Sequence, residues 1–354
     1  TSIGLNVAVN TTAAEVGDKA QLIHAAGMGL NAKADHTMST TVEGGAAGAK
    51  VSITPVVAVS IGVNTTTARL GDSATGLDLS GDYSSHAEQT HTMTTKATGQ
   101  AQGDVAVGAS LAAAVAVDDI SATVERNLTA STGLDLSATS ATSLTTEAKA
   151  GAKGAKAANK DNAGNETPEA GTTVDEQKQK QLGSAKNTNS AAAGVKTDTP
   201  DAKTPDTSSD TPGTGQPANP PAKSQQGKKV SVAAAIGVGV AYNEARAEIA
   251  AGKTVSAGTG KLGIHAGTDT NYKTLATGEA VSDDVGVAAA VALTATYNKT
   301  QATLGAGTTV TQASDVDVSA ISTQNRATDF QKTMSAEAVS GASGGEVAVA
   351  GSLA

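Results

Sequence analysis

One block recurs along this chain, and it limits the possible folds more than any other feature. It reads Asn10-Thr11-Thr12-Ala13-Ala14-Glu15-Val16-Gly17-Asp18, then Asn64-Thr65-Thr66-Thr67-Ala68-Arg69-Leu70-Gly71-Asp72. Weaker copies start at Asp118, Asn243 and Asn298, so the spacings are 54, 54, 125 and 55 residues. A truncated sixth copy begins at Glu346. Repeats of this kind cannot bury an apolar face alone and must stack into a continuous core. The long spacing is one repeat plus about 71 residues, and that excess coincides with a segment of different composition.

Each anchor follows an apolar alternation. From Val230 to Tyr242 the even positions read Val, Val, Ala, Ile, Val, Val, Tyr, and the odd ones Ser, Ala, Ala, Gly, Gly, Ala. Val285 to Tyr297 and Val105 to Val117 repeat the pattern. Period two predicts strands, and the Val, Thr and Gly content weighs against an Ala-rich helix. After the Asn the phase of the large residues flips: Val63 is odd, whereas Ala68 and Leu70 are even. This predicts a bulge or tight corner, for which Asn is suited.

Two further signals recur. Leu30-Asn31-Ala32, Leu77-Asp78-Leu79, Leu134-Asp135-Leu136, Leu262-Gly263-Ile264 and Val316-Asp317-Val318 predict a second strand. Met38, Met93, Leu144, Leu275 and Met334 predict a third, each a lone large residue among Thr and Ser. The expected fold is all-β: a parallel β-solenoid (β-helix) of ~54-residue repeats, each forming two or three rungs. An array of small β-sandwich repeats is the alternative. One Phe, four Tyr and no Trp fit a fold that packs small side chains closely and argue against an ordinary enzyme core.

Residues 151–228 interrupt this organisation. They hold seven of the eight prolines, and ten Lys against nine acidic residues. Val174, Leu182 and Val195 are their only large aliphatics. Such a segment is expected to be a disordered surface loop, with a short helix over Thr173–Leu182. The organisation is therefore 1–150 as repeats one to three, 151–228 as the insert, and 229–354 as repeats four, five and the start of six.

The composition excludes several chemistries. There is no Cys, hence no disulfide, thiolate metal site or cysteine nucleophile. A net charge of −9 argues against nucleic acid as a partner. The longest apolar run, Val105 to Val117, is too short for a transmembrane helix. The N-terminal residues Thr1-Ser2-Ile3-Gly4-Leu5 are read as lacking a signal peptide, and both ends are read as cut from something longer. His36-Thr37-Met38 and His91-Thr92-Met93 are repeat-equivalent; with His24, His86 and His265 they are read as an ordinary surface ladder rather than metal ligands. Gly267-Thr268-Asp269 and Asp161-Asn162-Ala163-Gly164-Asn165 are short acidic turns without the calcium nonapeptide core. Asp118-Asp119 and Asp283-Asp284 are read as strand boundaries. Sequons at Asn10, Asn64, Asn127, Asn165 and Asn298 are read as turn geometry rather than glycosylation sites. No nucleophile elbow, phosphate loop or zinc-protease helix is present. No catalytic, cofactor-binding or metal-binding residue is singled out, and no cofactor is expected.

The run Val59-Ser60-Ile61-Gly62-Val63-Asn64-Thr65-Thr66-Thr67-Ala68-Arg69-Leu70-Gly71-Asp72, with Val316-Asp317-Val318-Ser319-Ala320, resembles repeats of very large bacterial surface proteins. These are the filamentous-haemagglutinin-like and leukotoxin-type adhesins, exported as autotransporters or by two-partner secretion. The resemblance covers the chain outside the insert. It implies an extended β-helix on the cell surface, without enzymatic activity. Its role would be adhesion or structural spacing, with a surface glycan or matrix as partner and other repeats of the chain as neighbours. A membrane-active cytotoxin passenger and a carbohydrate-active β-helix are the alternatives.

Overall fold

The computed structural model describes residues 1–23, 25–48, 50–154, 159–160, 166–167, 228–324 and 334–354. The chain is a parallel β-solenoid, and each repeat makes one complete rung. The first sheet stacks β1 (Ser2–Val16), β3 (Val51–Leu70), β6 (Val105–Val124), β11 (Val230–Ile249), β14 (Val285–Leu304) and β18 (Val347–Leu353) in that order. The second stacks β2 (Met28–Ala47), β5 (Asp82–Gly103), β8 (Gly133–Gly154), β13 (Lys261–Val281) and β16 (Asp315–Thr323), with β17 (Met334–Ser343) also pairing with β13. A narrow third sheet joins them: β4 (Leu77–Leu79), β7 (Leu128–Ala130), β12 (Thr254–Ser256) and β15 (Thr309–Gln312). A short antiparallel pair, β9 (Asn159–Lys160) and β10 (Glu166–Thr167), stands apart.

The expectation of two or three rungs per repeat is corrected. Asn10 pairs with Asn64, Asn64 with Asp118, Asp118 with Asn243 and Asn243 with Asn298, so one repeat advances the chain by one strand. The strands are long because alternation runs straight through the Asn. In β3 every even position from Ser52 to Leu70 is buried and no bulge occurs. What flips at Asn64 is the size of the inward side chains, not the strand. Before it the inward residues are small (Ala58, Ser60, Gly62) and the outward ones large (Val59, Ile61, Val63); after it the inward ones are Ala68 and Leu70.

The second-strand signal is also corrected. Leu77–Leu79 belongs to the third sheet, and the position equivalent to Leu134 is Tyr83. In the third signal, Met38, Met93 and Leu144 align with Tyr272, not Leu275. Parity decides this: Leu275 faces outward, whereas Tyr272 is fully buried.

The cross-section is wide at one end and thin at the other. Leu70, Leu77, Tyr83, Leu128, Leu136 and Ile264 fill the wide end, where three sheets meet. Burying each such side chain stabilises the fold by about 2 kcal/mol. Alanines, among them Ala112, Ala148, Ala235 and Ala276, fill the thin end between two sheets. There Gly108 lies against the backbone of Gly151, and a Cβ at Gly108 would sit 2.1 Å from its carbonyl oxygen. Near the wide end Gly258 turns with φ +58 and packs against the Ser131 carbonyl.

Strand β8 runs to Gly154, so residues 151–154 belong to the third rung, and the stack resumes in register at Val230. The expected disorder of the insert and the helix over 173–182 lie outside the described residues. The insertion leaves and rejoins at the thin edge, between β8 and β11.

Candidate functional site

Between the two ends an inward polar ladder crosses the core. It contains Asn10, Asn64, Asp118, Asn243 and Asn298 on the first sheet. Facing it are His36, His91, Thr142 and Thr270 on the second. Strand parity points these side chains inward.

Asp118 is the centre and is wholly buried. Its Oδ1 accepts from Asn64 Nδ2 at 2.8 Å, Gln89 Nε2 at 2.7 Å and His91 Nδ1 at 2.9 Å. Its Oδ2 accepts from Thr142 Oγ1 at 2.8 Å. A carboxylate only accepts, so the His91 proton on Nδ1 is assigned by this contact. Asn10 Nδ2 donates to Asn64 Oδ1 at 2.8 Å, and Thr66 Oγ1 donates to Gln89 Oε1 at 2.8 Å. The cluster thus spans three rungs, and shared acceptors tie their registers together. Further along, Tyr272 donates to Asn298 Oδ1 at 3.2 Å. Burial, with the Asp118 charge, pushes the Tyr272 pKa well above the phenolic range, so it stays neutral.

A His–Asp pair is the usual general-base arrangement, but a base must reach its substrate. Asp118 is wholly buried and His91 is 1% exposed, with only its edge toward the first rung bordering a hollow. The arrangement holds strands in register. At the first rung an open hollow of about 520 Å³ is lined by Asn10, His36, Asn64 and His91.

Several sequence expectations are corrected. His36 and His91 are not on a surface ladder; strand parity in β2 and β5 points both inward, and His91 is buried. Asp118 is not a strand boundary; it lies within β6. Gly267-Thr268-Asp269 is not a turn but part of β13, with Thr268 bonded to Ser322 Oγ at 2.9 Å. Asn64, Asn10 and Asn298 mark no corner, since their strands continue through them. Buried Asn64 is closed to glycosylation in the folded chain. His24, the Asp161 turn and the Asn165 sequon lie outside the described residues. Asp283-Asp284 does fall between strands, where Asp284 Oδ2 accepts from the Lys229 amide at 2.6 Å.

His86 and His265 do face outward, flanking Asp135 at 3.6 and 3.7 Å. They stand two rungs apart, roughly 10 Å at strand spacing. Among the described residues no group of three or more His, Asp or Glu is placed to hold a metal ion.

Sequence reasoning missed Arg126. It is buried, and donates from Nε to the Gly71 carbonyl (2.6 Å), from Nη1 to Ala20 (2.8 Å) and from Nη2 to Gly17 (3.2 Å). One guanidinium thereby ties the loops of three successive rungs. Its signal was a lone cation at the end of a block whose other charges, Asp118, Asp119 and Glu125, are all acidic, which periodicity does not weigh.

Among the described residues no helix is long and apolar enough to cross a membrane. Comparison with protein-family models, curated proteins and solved structures finds no match.

Proposed function

We propose that this chain is a non-enzymatic structural and adhesive segment of a large bacterial cell-surface filamentous protein. The supporting observation is the in-register stacking of one repeat per rung across six rungs of the first sheet. Dimensions sharpen the role. Each repeat lengthens the solenoid by only about 4.8 Å, while a 20-residue strand extends about 66 Å across it. About fifty residues per rung make a poor spacer and a good slab. Display on broad, stiff faces therefore fits the geometry better than reach, and multivalent contact follows from repetition.

The partner in this reading is a surface glycan or matrix component met at the cell exterior. The test is binding of the 354-residue chain to glycan and matrix arrays, with polysaccharide turnover measured in parallel. Binding without turnover is the expected result. Catalytic turnover would replace the reading with a carbohydrate-active β-helix, and no binding to either array would remove the adhesive role. A second reading, a membrane-active passenger, is favoured by the apolar outer face of the first sheet. Dye leakage from vesicles separates it from the first.

A further inference from the structure

The outer face of the first sheet is divided in two. From Val105 to Val117 and across all its register partners, every outward residue is apolar. Beyond this half the outward residues turn polar or charged, as in Thr65, Asp119, Glu244 and Lys299. Neither the solenoid core nor any described segment covers the apolar half. Ile236 is 43% exposed and Leu293 53% exposed.

We propose that this apolar half is a homodimer interface, against which a second copy of the chain packs sheet to sheet. Size is the first argument. Four strands carry all thirteen positions while β1 reaches eight and β18 seven, which at strand spacing gives roughly 900 Å² per copy. That exceeds the roughly 300–600 Å² of the largest apolar patch on a typical monomer. Two copies would bury roughly 1,800 Å², above the roughly 1,600 Å² of a standard stable interface.

Shape is the second argument. Ala109, Ala234 and Ala289 form a column of small residues beside a column of large ones, Leu111, Ile236 and Val291. A groove next to a ridge is self-complementary under a two-fold axis, the symmetry of most homodimers. Two apolar sheet faces pack about 10 Å apart in this way.

Charge is the third argument, and it separates a second copy from a lipid surface. Interfacial membrane binders carry Lys and Arg on their polar side and are drawn to anionic lipid. This chain has a net charge of −9. Its apolar face has one aromatic rim element, the stacked pair Tyr242 and Tyr297 with centroids 5.0 Å apart.

The test is sedimentation of the whole chain at micromolar concentration without detergent. The expected species has twice the 34.4 kDa chain mass. Ile236→Lys should return it to the chain mass with its β-sheet circular dichroism intact, because the side chain points outward. If that variant loses its sheet signal, a milder one carries the test. The chain has no cysteine, so Ile236→Cys is a clean maleimide target. Its labelling should be blocked at high concentration and restored on dilution, while Thr67→Cys on the polar half labels under both conditions. A chain that is monomeric throughout, or a dimer that survives Ile236→Lys, overturns the proposal. So does flotation of the wild-type monomer with phosphatidylcholine vesicles, lost in Ile236→Lys, which would assign the face to lipid.

Discussion

The two ends of one rung are built from the same strands yet hold together differently. At the wide end, bulky side chains such as Leu136 and Ile264 fill a prism between three sheets. At the thin end the two main sheets stand closer and meet mainly through Ala and Gly, with Val56 a larger side chain among them. The difference teaches that alternation sets which face is inside, while side-chain size sets only how far apart the sheets stand. Large residues on a strand do not therefore mark its buried face. In the thin half most of them are outside, Val56 being a buried exception.

The sharpest way to break this contrast is to enlarge the thin end. Gly108→Val would drive its side chain into the Gly151 backbone, which no rotamer change relieves. The expected loss is at least about 4 kcal/mol, read from urea unfolding. Next comes the polar ladder between the two ends. Asp118→Ala strands His91, Gln89, Asn64 and Thr142, and should cost about 3–4 kcal/mol. At the wide end, Leu136→Ala leaves a cavity and should cost about 3 kcal/mol. A wide end insensitive to truncation, or a thin end that tolerates valine, would dissolve the distinction.

Much of this was legible in the sequence. The repeat, its period and the parallel stacking follow from the Asn blocks and the two-residue alternation. The rung count was not legible, because the phase flip at Asn64 read as a corner. Only the facing sheet reveals that Gly62 and Asn64 share one inward face. The role of His91 was hidden because burial depends on parity within β5, where among the flanking Thr residues Met93 alone marks the inward face. The partner of Asp118 lies 27 residues away in the chain, a distance the motif could not span. Tyr272 in place of Leu275 shows that the lone-large-residue rule fails when two large residues lie near each other.

A smaller effect sharpens the outer surface of the thin half. Burial raises the pKa of Glu147, but Lys149 and then Lys96 outweigh it, and the net pKa lies below the ordinary 4.5. A lowered carboxylate pKa adds stability above 4.5 and loses it as pH falls through the folded value. Because Lys96 is half-exposed, the gain is under about 1 kcal/mol. Glu147→Gln should therefore flatten the loss of stability between about pH 5 and pH 3, measured as urea midpoints at each pH.

The central claim is that one repeat makes one rung. Thr67 and Ser121 lie on adjacent strands with hydroxyl oxygens 3.4 Å apart. In a chain without native cysteine, Thr67→Cys with Ser121→Cys should oxidise readily to a disulfide, while Val63→Cys with Ser121→Cys should not. If each repeat made two or three rungs, the first pair would stand roughly 10–14 Å apart. It would then remain reduced, and that result would contradict the account.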